Sequence, residues 1–269
     1  MSKELGSLSQ IKYFIAQPSL LGLPWSILFP KIRRLGFDGV EVMFTKTVLR
    51  KLSYLIRLAK KNNSRITFHQ PWEGEYSIIN RMLWRLGALP KDFEKVADLI
   101  PRSLKYPILL QSFRIEEAKE NSNYMVQIFY SIKGKELPLY DLTRKIREAK
   151  VKVVFDILYY IEYYFKGLQH IPNNREVLLD VLLEGWKQLR RNTVEIHLYD
   201  FLPGKSFLSK NLMPGKGILP LAEFLKHLRK DNWSGRIVLE INPLQLYPNL
   251  ETNLKRALHF VQRHTYESP

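Results

Sequence analysis

Asp156, His197 and Glu240 each close an apolar run of the kind that forms a buried strand: VKVVFDI (151–157), VEIHLYD (194–200) and RIVLEIN (236–242). In the second run Glu195 and His197 share one parity, and Val194, Ile196 and Leu198 share the other. In the third, Glu240 and Val238 alternate with Ile237, Leu239 and Ile241. One face of each strand therefore packs on helices, while the opposite face carries ionisable groups. Other apolar runs end the same way, GVEVMF with Glu41, RITFHQP with His69, PILLQSF with Gln111 and MVQIFYS with Gln127. A lone buried histidine or aspartate is more often a satisfied structural residue than a ligand. Asp156, His197 and Glu240 on consecutive strands are different, because they would bury charge unless they hydrogen-bond or bind a cation. One imidazole and two carboxylates make a nitrogen and oxygen site for zinc, manganese, cobalt or magnesium. A divalent ion there could polarise a hydroxy-carbonyl substrate while a carboxylate moves a proton, or it could activate water against a phosphodiester.

The elements that must position these residues follow from periodicity. Residues 194–243 read as two strands joined by a Gly/Pro/Lys loop and one amphipathic helix, the grammar of a parallel βαβ unit. Upstream, IKYFIAQ (11–17) is a further strand, and Pro24 opens a helix that ends at Gly36. TVLRKLSYLIRLAKKN reads as one long helix, with Leu49, Leu52, Leu55, Ile56 and Ala59 at helical spacing. LYDLTRKIREAK, NREVLLDVLLEGWKQLRR and NLETNLKRALHFVQRH continue the alternation, and the polar stretch 114–124 leaves room only for an abbreviated crossover helix. About eight strands alternating with about eight helical segments is what a closed parallel barrel requires. With no Gly/Ser/Pro-rich linker, residues 1–269 are expected to form a single (β/α)8 TIM barrel domain. The inward parity then converges at the C-terminal rim, where such barrels place their chemistry.

The chain has 269 residues and no cysteine, which removes disulfides, thiolate nucleophiles and Cys-based zinc sites. The N-terminus lacks a basic region leading into an apolar one, and the most apolar stretches are interrupted by charge. The expectation is a cytoplasmic protein with no membrane partner. Net charge is +16, and the excess gathers early, with Lys31, Arg33, Arg34, Lys46, Arg50, Lys51, Arg57, Lys60, Lys61 and Arg65 against Asp38 and Glu41. Such a run either decorates the solvated faces of two helices or meets a polyanion such as nucleic acid. Oligomeric state is not set by the sequence.

The ordered words LGFDGVEVMF, ITFHQPW, VVFDILY, VEIHLYDF, LMPGKGILPLAEFLKHL and SGRIVLEINP resemble the xylose isomerase-like (β/α)8 superfamily. This superfamily contains sugar and sugar-phosphate isomerases and epimerases, together with the endonuclease IV-type nucleases of AP endonuclease family 2. The resemblance implies one divalent metal held by Glu, Asp, His and Glu from the fifth to eighth strands. Asp156, His197 and Glu240 match, while Gln127 stands at the first position, where the family's glutamate also serves as half of the acid/base pair. Tyr159 replaces the histidine of an Asp-x-x-His word, and Asn211 replaces the histidine before the Pro-Gly-x-Gly loop. In the nuclease pattern His69, Asp156, His197 and Glu240 match, but Gln111, Gln127, Tyr159, Ser209 and Asn211 depart from it, which argues against a trinuclear site.

Three readings follow. The first is a metal-dependent isomerase or epimerase acting on a small carbohydrate, with Asp156, His197, Glu240 and Gln127 at the metal and Glu240 with Gln127 as the catalytic pair. Glu41, His69, Trp72, Tyr159, Asn211 and Lys216 would then contact substrate, Lys216 meeting an anionic group. The second is a phosphodiester-processing protein that uses the early basic helices on DNA. The third is a non-catalytic barrel whose metal site has degenerated, for which Gln127, Tyr159 and Asn211 speak.

Overall fold

The computed structural model describes residues 11–20, 23–69, 106–111, 115–128, 137–203 and 210–266. Its strands are β1 (Lys12–Ala16), β2 (Gly39–Met43), β3 (Arg65–His69), β4 (Ile108–Gln111), β5 (Tyr124–Gln127), β6 (Lys152–Asp156), β7 (Thr193–Leu198) and β8 (Arg236–Leu239). All pair in parallel, each with its sequence neighbours, and β1 closes on β8 through Lys12 to Ile15 against Arg236 to Leu239. Among the described residues the helices are α1 (Trp25–Arg34), α2 (Lys46–Arg50), α3 (Leu52–Lys61), α4 (Ile115–Glu120), α5 (Leu139–Ala149) and α6 (Ile157–Tyr164). They continue with α7 (Arg175–Leu189), α8 (Leu221–Lys230), α9 (Pro243–Leu246) and α10 (Leu250–Thr265). The fold is the expected (β/α)8 TIM barrel. None of the described helices is long and apolar enough to cross a membrane.

Alternation along the strands sorts the side chains into two cores. Val40, Val42, Ile66, Phe68, Phe155, Ile196, Leu198, Ile237 and Leu239 face outward into the shell between sheet and helices. Inside the barrel, two small apolar clusters, Phe14 with Ala16 and Val238, and Leu109 with Met125 and Val154, fill opposite walls. Gly39 is required where β2 passes Phe14 and β3. A Cβ there would lie 2.4 Å from the Phe14 ring and 2.5 Å from the Arg65 carbonyl oxygen. Gly39→Ala is therefore expected to destabilise the barrel by about 1–3 kcal/mol, the usual cost of overpacking, as read by denaturant unfolding. Wild-type stability in that variant would mean that this wall can yield.

In two places the elements differ from the periodicity. The long second helix is interrupted at Lys51, which leaves helical dihedrals (φ −108°, ψ 16°) between α2 and α3. At the break the Lys51 N–H still donates to the Thr47 and Val48 carbonyls, and the Lys51 carbonyl accepts from the Leu55 N–H. Val194, expected on the outward face, packs instead on the inner Leu109, Met125 and Val154 cluster. There β6 advances one residue, Val153 to Val154, while β7 advances two, Thr193 to Glu195. The bulge places Val194 out of alternation, and regular pairing resumes with Glu195 and His197 facing inward.

Candidate metal centre

The strand ends converge on His197. This imidazole is fully buried at the centre of the mouth, with Nε2 3.1 Å from Glu41 Oε2 and 3.4 Å from Glu195 Oε1. Its Nδ1 faces Glu240 Oε1 at 3.2 Å and Asp156 Oδ2 at 3.7 Å. Both ring nitrogens thus meet carboxylates, an arrangement suited to an imidazolium donating in two directions. His69 stacks on it with ring centroids 5.9 Å apart. Glu41, His69, His197 and Glu240 each offer a ligand atom within 4.8 Å of all the others, so this cluster could hold a metal ion.

Asp156 is held by three donors. Its Oδ1 accepts from the Tyr159 N–H and the Tyr199 hydroxyl, both at 2.9 Å, and its Oδ2 accepts from Gln127 Nε2 at 3.0 Å. The same carboxylate caps the first turn of α6, which begins directly at the strand end. Gln127 Nε2 also lies 3.3 Å from His197 Nδ1, so the glutamine presents its amide nitrogen to the site. Below His197, Glu195 is tied to Arg236 Nε at 2.5 Å, and Arg236 reaches Met125 Sδ at 2.9 Å.

Charge in this volume is unevenly balanced. Burial raises the Glu195 carboxyl, but Arg236 and His197 outweigh that and hold it at about 2. Arg236 therefore neutralises Glu195, leaving Glu41, Asp156 and Glu240 around the imidazoles. Burial first, and then repulsion from Glu240, pushes Asp156 up to about 7. Burial likewise raises Glu41 above the usual carboxylate range, against the attraction of His197. Burial would also raise Glu240, yet the charge and hydrogen bond of His197 prevail and its pKa falls below the ordinary value. Burial alone would neutralise His197, but the Glu41 and Glu240 carboxylates hold its pKa well above that of a free imidazole. Surplus carboxylate in a dry pocket, beside nitrogen donors, is a donor set that fits a divalent cation.

Comparison with solved structures gives the architecture its relatives. A D-tagatose 3-epimerase-like protein is 16% identical, with a TM-score of 0.61 over 95% of this chain and 100% of that one. The likeness is one of fold, a closed (β/α)8 barrel. The apo form of 3-keto-D-glucoside 4-epimerase YcjR from E. coli is also similar, at 16% identity and a TM-score of 0.61, covering 94% and 99%. IolI with a bound zinc atom follows at 12% identity and a TM-score of 0.51, covering 96% and 100%. No family model and no curated protein matches the sequence.

Within this barrel the mouth brings together Glu41, His69, Gln127, Asp156, His197 and Glu240, as their shared parity requires. Tyr159 is buried and gives its backbone N–H to Asp156. Asn211 lies next to Glu240 but turns its amide to the Glu240 carbonyl oxygen, 3.1 Å away, so it supports the backbone of that residue. Lys216 is exposed on the loop before α8 and makes no hydrogen bond or ion pair with the cluster. That loop is anchored from below, where the buried Asp200 carboxylate accepts the N–H groups of Gly215 and Leu219 at 3.0 Å each. Trp72 lies outside the described residues.

Tyr199 and Arg236 act on the site without having been singled out by sequence. Tyr199 shares the inward parity of His197, a signal that was present in the alternation. Arg236 opens its strand, where a cation ordinarily reads as solvated, and only the closed β7–β8 pairing places it opposite Glu195.

Proposed function

We propose that the barrel mouth binds a divalent metal ion and moves a proton at a carbon next to a hydroxy-carbonyl group, the chemistry of sugar and sugar-phosphate isomerases and epimerases. The observation that carries the reading is the gradient of access across the cluster. The side chains of Glu41, Asp156, Glu195 and His197 are at most 2% exposed, whereas that of Glu240 is 21% exposed. The centre of the cluster is thus sealed, and of these five groups Glu240 alone opens toward an entering substrate. His197, Glu240 and Asp156 would hold the ion, with Gln127 on the β5 side and Glu41 and His69 on the β2–β3 side. The bound ion would supply Lewis acidity toward the hydroxyl and carbonyl oxygens of the substrate.

The chain's own residues divide the remaining tasks. Glu240 stays ionised beside His197 and is the base positioned to exchange a proton with substrate carbon. The Asn211 amide fixes its backbone, and the Tyr199 hydroxyl with the Tyr159 N–H fixes Asp156. The structurally similar 3-keto-D-glucoside 4-epimerase and D-tagatose 3-epimerase-like protein agree with a carbohydrate substrate.

A competing reading has one observation in its favour. Gln127 satisfies Asp156, and an imidazolium between Glu41 and Glu240 offsets part of the mouth's charge without any ion, as a non-catalytic barrel would require. Gln127→Glu separates the two. It sets a carboxylate against Asp156, so the variant should melt below wild type without metal. It should also bind manganese, zinc or cobalt about 10- to 100-fold more tightly, the range typical when groups supporting a metal site change. Calorimetric titration of both proteins, with deuterium uptake from D2O into a panel of ketoses and aldoses, tests this directly. A wild-type chain that binds none of these ions and exchanges no carbon-bound hydrogen establishes the scaffold reading.

A further inference from the structure

The outer flank of the barrel carries a cationic face that the mouth does not use. From Thr45 through His69 the sequence contains no acidic residue, yet it includes Arg50, Lys51, Arg57, Lys60, Lys61 and Arg65. All six are exposed, and none forms an ion pair with a described carboxylate. The neighbouring cations behave otherwise. On α1, Lys31 and Arg34 pair with Glu251 at 2.8 and 3.2 Å, and Arg33 lies 3.6 Å from Asp38. Among the described residues, α2, α3 and the start of β3 thus form a run of cations with no acidic residue interleaved and no carboxylate paired to it.

Its arrangement is ordered. Leu55 and Ala59 are buried against the sheet, which leaves Ser53, Tyr54, Arg57, Lys60 and Lys61 on the opposite face of α3 at helical spacing. At 1.5 Å per residue the row from Tyr54 to Lys61 is roughly 10 Å long, enough to span more than one phosphate step of a nucleic-acid strand. Tyr54 is 43% exposed and is the one large apolar side chain of 45–69 so exposed, a ring able to stack on a base between the cations. A membrane-binding helix would show several apolar residues beside its lysines, and this face shows none but Tyr54.

We propose that this face binds the phosphate backbone of single-stranded nucleic acid. Topology separates it from the mouth. In a (β/α) barrel the helices run back from the C-terminal rim to the opposite end, so Lys60, Lys61 and Arg65 lie at the end away from Glu240. The surface thus anchors a strand outside the barrel and does not feed it to the metal centre, and it stands whether or not the mouth is catalytic.

The test is fluorescence anisotropy of a labelled oligothymidylate and an RNA of equal length on the full chain across a salt series. Wild type should bind both, with an affinity that falls steeply as salt rises. Arg57→Glu with Lys60→Glu and Lys61→Glu should weaken binding at least tenfold at about 50 mM salt. Neutralising the three with glutamine should reduce the logarithmic salt slope by about 2, since each phosphate contact on a single strand contributes about 0.7. Lys187→Glu with Lys226→Glu and Lys230→Glu, exposed cations on α7 and α8, changes net charge equally and should retain most of the affinity. Circular dichroism confirms that all variants remain folded. No binding by wild type, equal losses in both charge-reversed proteins, or binding to phosphatidylserine vesicles in place of the oligonucleotides overturns the proposal.

Discussion

Glu240→Gln is expected to lower turnover by about 100- to 10,000-fold on whichever sugar exchanges carbon-bound hydrogen, the range typical of a lost general base. The substitution preserves shape, so the Glu240 backbone should keep its hydrogen bond from Asn211. What it removes is the charge facing His197 Nδ1 at 3.2 Å, together with the capacity to hold a proton. No described neighbour can substitute. Asp156 accepts three hydrogen bonds and is fully buried, Glu41 is sealed behind His197, and Gln127 is an amide. The loss should fall on kcat more than on KM, because ground-state contacts to the rest of the substrate are untouched. Deuterium exchange at the substrate carbon gives an independent reading and should slow in parallel. Unchanged kcat would dismiss Glu240 as the base and turn attention to the residues on the β2–β3 side.

The fold was legible because the strands alternate along nearly all their length and because polar residues end them on a common face. Glu41, His69, Gln127, Asp156, His197 and Glu240 could be grouped by parity alone, since parallel strands in a closed barrel place like parities in one interior. The internal wiring was less visible. Pairing of Glu195 with Arg236 depends on the register of β7 against β8, and the pairing of β7 with β6 passes a bulge at Val194 that no residue type announces. Asp156 likewise reads as a ligand from its position, whereas the structure also gives it the work of capping α6. Gln127 illustrates the limit most directly. Sequence shows an amide in place of a carboxylate, but only the geometry shows that its nitrogen is turned to Asp156, compensating a charge that a metal could otherwise compensate. The break at Lys51 is hidden for a related reason, since Leu49 before it and Leu52, Leu55 and Ala59 after it keep helical spacing across it.

Removing the histidine should have the largest effect on stability. His197→Ala leaves Glu41 and Glu240, which flank the ring at 3.1 and 3.2 Å, without their shared cation in a dry volume. Breaking a buried ion pair by deleting one partner typically costs about 3–5 kcal/mol, well above the cost of the side chain's volume alone. Denaturant unfolding without metal should show a loss of that size, and His197→Gln, which can donate to one carboxylate, should lose less. If the loss comes from stranded charge, the effect of a second substitution must change sign. In the wild-type background Glu41→Gln removes a partner of the imidazolium and should destabilise. In the His197→Ala background the same change removes an unpaired buried carboxylate and should stabilise. A double-mutant cycle measures this directly, and the coupling between residues in contact should exceed about 1 kcal/mol. Should Glu41→Gln destabilise in both backgrounds, the cluster is held by packing, and an imidazolium bridging two carboxylates is the wrong description of the mouth.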